Sequence, residues 1–289
     1  MNNMNNNDKV NTLFQRVSDG INDVFVSEDF REYLRVMSRF HTYSARNSLL
    51  ILMANPNATL VAGYQSWIKN FGRYVKKGEK GIPIFAYTPF TCIEKTAMHD
   101  EAGGSIITET QREVSAYKVV HVYDISQTEG TPLPVIAKEL SSSVQDYEVL
   151  LDTIKLISPY SIKFESLDRI KGYCDPDNGL IVINRGMSES QTLKTLIHEV
   201  VHALKHSKSS VFYDDENDRI EEEIEAECCA FVVCEHYGVD TSEYSFPYMA
   251  AWSKDKDSSC LLRLCKSIQI ISDDIISKIE HYSIAQKVT

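Results

Sequence analysis

The sequence predicts an α+β protein of two domains: N-terminal helices with an antiparallel β-hairpin or sheet, then a mostly helical domain with a small sheet. Three observations carry this expectation. Apolar residues recur at three- and four-residue spacing toward both ends of the chain, residues alternate between apolar and polar through the stretch after Gly72, and a Pro- and Ser-rich segment separates the two regimes. A length of 289 residues is long for one core and suits two domains, and 43% apolar with 10% aromatic content is enough to bury them. The formal charge of -11 argues against a surface that wraps nucleic acid throughout, while leaving room for a local basic patch.

From Val10 to Ile51 the helical spacing runs through Leu13, Val17, Ile21 and Val24, then Leu34, Val36, Met37 and Phe40, with breaks near Ser27 and His41. "NPNATL" (55–60) reads as a turn, and "GYQSWIKNF" as a short helix ending at Gly72. "RYVKKGEKGIPIFAYTPF" and "EVSAYKVVHVYDIS" then read as two strands joined by a variable, acidic and Gly-rich loop around 100–110. The stretch 128–147, with two prolines and a serine run, marks a boundary between a domain of residues 1–135 and one of 145–289. Beyond it come a helix near 146–157, strands at "SIKFES" and "GLIVINRG", a helix over "TLIHEVVHALKH", another from about Arg219 to Tyr237, and one or two more. The N-terminus lacks an apolar stretch after a basic start, no run approaches the ~20 apolar residues of a membrane span, and seven cysteines without a CxxC pair suit reduced thiols. These features lead us to expect a cytoplasmic protein with no membrane partner.

Residues four apart on a helix lie on one face, so His198 and His202 can offer two imidazole nitrogens to one ion, with Glu199 beside them to take a proton from water. Leu193, Leu196, Ile197, Val200, Val201 and Leu204 make the rest of that helix apolar and interior, where bare histidines need partners. A catalytic zinc generally takes three protein ligands and keeps one open position. The acidic helix "DRIEEEIEAECCAFVVCEHYG" can supply the third. Its apolar face reads as Ile220, Ile224, Phe231 and Val232; Glu221 and Glu222 read as a solvated acidic face; Glu223 and Glu227, four apart, share another. Cys228, Cys229 and Cys234 read as small buried packing groups, because adjacent cysteines on a helix point apart. The acidic run "DDENDRIEEE" reads as an ordinary helix start rather than a DNA mimic.

"TLIHEVVHALKH" followed by "EIEAECCAFVV" resembles the ImmA/IrrE-type zinc metallopeptidase domain, a zincin-like fold. The resemblance implies one zinc ion held by His198, His202 and Glu223, with Glu199 as catalytic general base and Glu227 supporting a ligand from behind. The Met-Pro that usually ends that family's helix is absent here. No residue stands out in sequence as a transition-state donor; His206, Tyr213 and His236 are candidates by proximity alone.

Residues 69–80 hold Lys69, Arg73, Lys76, Lys77 and Lys80 against Glu79, near Tyr64, Trp67, Phe71 and Tyr74. Cations that track phosphates and rings that stack bases are the chemistry of single-strand binding, although a basic hairpin tip and a core tryptophan show the same composition. The region from Phe40 to Pro134, with "YSARNSLLILMANPNATLVAGYQSWIKNFGRYVKKGEKGIPIFAYTP" and "VYDISQTEGTPLP", resembles the N-terminal single-stranded-DNA-binding domain of ArdC-type antirestriction and LtrC-like proteins. The pattern retains Asn47, Tyr64, Trp67, Gly72, Arg73, Lys76, Lys77, Gly78, Lys80 and Gly81, with Asp124, Gln127 and Thr128 as structural punctuation. Chemistry assigns Arg73, Lys76, Lys77 and Lys80 to phosphates and Tyr64 and Trp67 to stacking.

The two resemblances together imply a single-stranded-DNA-binding antirestriction protein of a plasmid or conjugative element with a zinc-peptidase-like domain. A rival reading is an active metalloprotease that cleaves a regulatory protein or restriction enzyme and is targeted by its DNA-binding domain. A third is a binding module whose peptidase fold carries no metal.

Overall fold

Three helices open the chain where the apolar spacing predicts them: α1 (Asn6–Val26), α2 (Asp29–Arg39) and α3 (Ala45–Ala54). They bury Leu13, Val17, Ile21 and Val24 from α1, Tyr33, Leu34, Val36 and Met37 from α2, and Leu49 to Leu52 from α3. The turn after α2 holds His41. Ser44 then caps α3, its hydroxyl accepting the N–H of Asn47 at 3.4 Å. The computed structural model describes residues 5–26, 29–99, 105–133, 144–205, 219–239, 246 and 249–287.

β1 (Val61–Gly63) leads into α4 (Tyr64–Phe71), which ends at Gly72 in the left-handed region, φ 61°, where a side chain would be strained. Then come β2 (Arg73–Val75), β3 (Ile82–Tyr87), β4 (Phe90–His99), β5 (Ser105–Val114), β6 (Tyr117–Asp124), a 3-10 turn at Ile125–Gln127, and β7 (Thr128–Gly130). All pairings among them are antiparallel: β6 lies between β1 and β3, β2 pairs with β7, and β4 with β5. The two strands expected from sequence are β3 and β6, with Ile82 opposite Val122 and Tyr87 opposite Tyr117. What sequence shows as a variable loop between them is the β4–β5 hairpin. The acidic, Gly-rich sequence of residues 100–104 hides the alternation on either side.

Along β3, Ile82, Ile84 and Phe85 are buried, and Phe85 stacks on Phe14 of α1 with ring centroids 4.4 Å apart.

The remaining elements are α5 (Val144–Ile157), β8 (Ser161–Glu165), β9 (Gly172–Asp175), β10 (Leu180–Asn184), α6 (Glu189–Lys205), α7 (Arg219–His236), α8 (Met249–Ser253) and α9 (Ser258–Lys287). β10 lies between a parallel β8 and an antiparallel β9. Its Ile181, Val182 and Ile183 are fully buried, as a strand covered on both faces requires. β9 runs close to α6: a Cβ on Gly172 would stand 2.9 Å from both the Thr195 side chain and the Val182 carbonyl oxygen, so only glycine permits this approach.

α7 packs against α2, α6 and α9. Two sequence expectations fail on its first turn. Ile220, expected on the apolar face, is 59% exposed, and the buried stripe starts at Ile224. Glu221, expected in solvent, is buried at 3% exposure and paired with Arg263 of α9 at 2.9 Å; Glu225 is buried as well. The physical reason is α9, whose guanidinium reaches the first turn of α7 and makes burial of a carboxylate tolerable. Cys228, Cys229 and Cys234 are buried free thiols, as expected.

Grouped by contacts, the chain forms two units, Met1–Val17 with Val61–Gly130 and Ser18–Leu60 with Thr131–Thr289. The sequence division at 135–145 is a single cut, and much of that stretch lies outside the described residues. Among the described residues no helix is long and apolar enough to cross a membrane.

Candidate functional site

The apolar stripe of α6 fixes its rotation. Leu193, Leu196, Ile197, Val200 and Val201 face the interior, which turns Lys194, His198 and His202, each four residues from the next, toward α7. There the ring centroids of His198 and His202 lie 4.7 Å apart and their Nε2 atoms 3.0 Å apart. Glu223 reaches across from α7, placing Oε2 3.4 Å from His198 Nε2 and Oε1 3.6 Å from His202 Nε2. One donor atom from each of the three residues falls within 4.8 Å of the others. Ligands about 2 Å from a shared tetrahedral ion lie about 3.3 Å from one another, so the observed separations need little adjustment to hold one.

Electrostatics point the same way. Burial opposes charge on His198, but the carboxylates of Glu223 and Glu227 and the charge of Glu199 outweigh it and raise its pKa to about 9. The contacts of Glu223 with His198, then His202, hold its carboxyl well below the usual range. On Glu227, burial is outweighed by His198 and Lys194, and its pKa falls. A cluster of imidazoles and carboxylates that favours positive charge at its centre is a suitable seat for a divalent cation.

Glu199 is 8% exposed, beside the His198, His202 and Glu223 donors rather than among them. Burial pushes its pKa up to about 6, with His198 lowering it and Glu223 raising it, and it accepts a backbone hydrogen bond from Cys174 of β9. Glu227 sits behind His198: Oε2 is 3.5 Å from His198 Nδ1, a charge contact longer than a good hydrogen bond, and Oε1 accepts from Lys194 Nζ at 2.6 Å. Sequence reasoning misses Lys194 and Cys174. Lys194 is legible in principle, since it continues the four-residue spacing of the histidines; Cys174 is not, because β9 is not.

His206 and Tyr213 lie outside the described residues. His236 stands at the opposite end of α7 from Glu223 and contacts the Ser38 carbonyl at 2.9 Å through Nδ1. It is not part of this centre.

In the other unit, the residues read as punctuation tie the basic turn in place. Asp124 caps the 3-10 turn by accepting from Ser126 N at 2.9 Å, while Gln127 Oε1 accepts from Asp124 N at 2.9 Å. Gln127 Nε2 donates to the Lys80 carbonyl at 3.0 Å and to Glu79 at 2.9 Å, and Lys76 N donates to the Gln127 carbonyl at 2.9 Å. Lys77 and Lys80 are exposed on the turn so held, as are Tyr64 and Tyr74 at 47% and 56%. Lys76 is exposed too, with its ammonium on the Ser126 carbonyl at 2.9 Å.

Two of the expected contacts are otherwise engaged. Trp67 is completely buried and donates Nε1–H to the Tyr123 carbonyl at 2.9 Å, so its ring is part of the core and offers no face to a base. Arg73 spends donors on Thr128, Nε to Oγ1 at 2.8 Å and Nη2 to the carbonyl at 3.0 Å, bracing β2 against β7.

Comparison with known proteins gives the same two parts in the same order. Residues 19–123 match the family described as the N-terminal domain of anti-restriction factor ArdC, and residues 161–249 match the IrrE N-terminal-like domain of the M78 peptidases. An uncharacterized protein of Bacillus anthracis, pXO2-81, is 29% identical over 260 residues, covering 79% of this chain and 44% of its own length. The chain thus spans less than half of that relative. Among solved structures, the antirestriction ArdC protein from the R388 plasmid resembles it in a Mn(II)-bound form (TM-score 0.59, 18% identity, 92% of this chain and 98% of that one). The metal-free form gives a TM-score of 0.52 at 18% identity, over 83% and 86%. At that identity the likeness speaks for the fold. The chain therefore has the two-domain architecture of the ArdC-type antirestriction proteins, an ArdC N-terminal domain followed by an IrrE-like peptidase domain.

Proposed function

We propose that this chain is an antirestriction protein of a mobile genetic element, acting in the cytoplasm, that binds single-stranded DNA through residues 1–135 and a divalent metal, zinc by preference, through residues 145–289. The observation that carries this reading is the pairing, in one chain, of an ArdC N-terminal domain with a complete His198, His202 and Glu223 donor set. Two imidazoles and one carboxylate, which leave a tetrahedral ion one further position, suit zinc and also suit the manganese that the R388 protein holds.

On the DNA side, Lys76, Lys77 and Lys80 with Tyr64 are the contacts this reading assigns, Tyr74 joining them as the more exposed ring in place of Trp67. Arg73 acts mainly by bracing the strands that present the turn. Replacing Lys76, Lys77 and Lys80 together with alanine is expected to weaken single-strand binding and to flatten its dependence on log salt by up to about 2, at roughly 0.7 for each phosphate no longer neutralised. Unchanged binding and slope in a filter or fluorescence titration would move the DNA site elsewhere.

A second reading, hydrolysis of a restriction enzyme or regulatory protein, is favoured by one observation: Glu199 is buried beside the donor set with a pKa pushed up to about 6. A carboxylate with that proton affinity can accept a proton from water near neutral pH and return it to a leaving amine. A bound ion would supply Lewis acidity toward a peptide carbonyl. Glu199→Gln removes the base and leaves the three ligands in place. Full antirestriction function in a metal-loaded Glu199→Gln protein excludes hydrolysis as its mechanism; loss of function at unchanged DNA binding supports it.

A further inference from the structure

The other end of α7 repeats the donor chemistry of its beginning. His236, in the last turn, meets His41 from the turn after α2, with ring centroids 4.9 Å apart and planes at 84°; the corresponding values for His198 and His202 are 4.7 Å and 72°. Glu280 of α9 completes the group, its Oε1 3.6 Å from His236 Nε2. One donor atom from each of His41, His236 and Glu280 lies within 4.8 Å of the others.

The hydrogen bonds around the rings select the nitrogens. His41 Nδ1 contacts Asp273 Oδ1 at 2.8 Å, and His236 Nδ1 contacts the Ser38 carbonyl oxygen at 2.9 Å. Both partners are acceptors, so in the neutral form of each ring Nδ1 holds the proton and Nε2 keeps its lone pair. An imidazole whose second nitrogen donates to a carboxylate or a backbone carbonyl is oriented and made more basic for a metal, an arrangement found behind most metal-bound histidines. The backbone of His41 is itself held, its carbonyl accepting from Gln269 Nε2 at 2.8 Å. His41 and His236 are largely covered, at 12% and 22% side-chain exposure, whereas Glu280 is 49% exposed and can swing inward.

We propose that His41, His236 and Glu280 form a second metal site, separate from the HExxH centre, that takes a divalent transition-metal ion of the zinc class and ties the turn after α2, the end of α7 and α9 together. The donor set of two imidazoles and a carboxylate selects borderline metals over calcium or magnesium, which prefer oxygen alone. Donors within 4.8 Å must close by up to about 1.5 Å to share a tetrahedral ion, and the side chain freest to move is the exposed Glu280. Three ligands from three separate segments act as a cross-link, so this ion would stabilise the helices it joins. Its role is structural, whereas the first centre has Glu199 beside it to move a proton.

The test uses the full chain, stripped with chelator and then dialysed against zinc, with bound metal measured per chain. Wild-type protein is expected to hold two ions, and a His198→Ala, His202→Ala variant to hold one. Adding either His41→Gln or Glu280→Gln to that variant should reduce zinc affinity at the remaining site at least tenfold and abolish the rise in Tm that zinc produces. Glu280→Gln is the safer of the two because its side chain is half in solvent; circular dichroism confirms that the fold persists. No ion in the His198→Ala, His202→Ala variant, or a residual ion whose affinity is untouched by both His41→Gln and Glu280→Gln, overturns the proposal. Both outcomes are read with His198 and His202 replaced, so neither bears on the HExxH centre.

Discussion

α7 carries one histidine–carboxylate cluster at each end, and they are built by opposite means. At the near end, two imidazole donors come from one turn of α6, so the four-residue repeat of a single helix sets their spacing and only Glu223 must be brought from elsewhere. At the far end, His41, His236 and Glu280 come from three segments, and tertiary packing alone brings them together. Glu223 and His236 lie 13 positions apart, about 20 Å along the axis at 1.5 Å per residue, so the two clusters cannot share an ion. The lesson is one of economy of encoding: a site that is local in sequence can be recognised as a motif, and a site that is global can be recognised only in the fold.

The sharpest way to separate the two ends is to remove Glu223. Glu223→Ala deletes one of three ligands and is expected to lower metal affinity at the near end by more than about 100-fold, since loss of even an outer hydrogen-bond partner costs about 10–100-fold. Stability of the metal-free protein should hardly change, because the side chain is 58% exposed. Isothermal titration with zinc reads the first quantity and denaturant unfolding the second. If the far end loses affinity as well, the two clusters are coupled through α7 and are not independent sites.

What can be read from sequence follows the same division. The helices, β3, β6, β8 and β10 are legible because their apolar residues repeat at the period of the element. His198 with His202, and Glu223 with Glu227, are legible as pairs because helix geometry places residues four apart on one face, whereas the role of Glu199 comes from the HExxH pattern and the choice of Glu223 from the resemblance to the IrrE-type domain. Composition leaves Trp67 open between core and stacking ring because burial is not visible in it: an indole beside lysines looks the same whether its N–H meets water or the Tyr123 carbonyl. Glu221 is misread for a related reason, as its counter-charge, Arg263, is remote in sequence. β9 has only four residues and no alternation, so Cys174 and its hydrogen bond to Glu199 are invisible too.

Arg263 offers the next largest effect. The side chain of Glu221 is 4% exposed and that of Arg263 is 42% exposed. Arg263→Ala leaves a buried carboxylate without this partner, and the 3–5 kcal/mol typical of a fully buried pair should shrink to about 2 kcal/mol, because half of this one already meets water. Chemical denaturation of the metal-free protein measures it. Glu221 precedes Glu223 by two residues in the first turn of α7, so loosening that turn should also weaken zinc at the near end and leave the far end unaffected. A loss below about 0.5 kcal/mol would mean that Glu221 finds a proton or another cation, and that the start of α7 does not depend on α9.

The smallest effect tests the support behind His198. Glu227 lies 3.5 Å from Nδ1 and is itself held by Lys194 at 2.6 Å, whereas at the far end Asp273 meets His41 Nδ1 at 2.8 Å. A longer contact orients a ring less firmly, so Glu227→Ala should weaken zinc at the near end by about tenfold, roughly 1.4 kcal/mol and the lower limit for an outer partner. Asp273→Ala should weaken the far end by more, because its hydrogen bond is short. The two variants, titrated with zinc in proteins carrying only one intact cluster, put the two distances in competition. If Glu227→Ala proves the more damaging, then His198 closes on Glu227 when metal binds, to less than the 3.5 Å seen here.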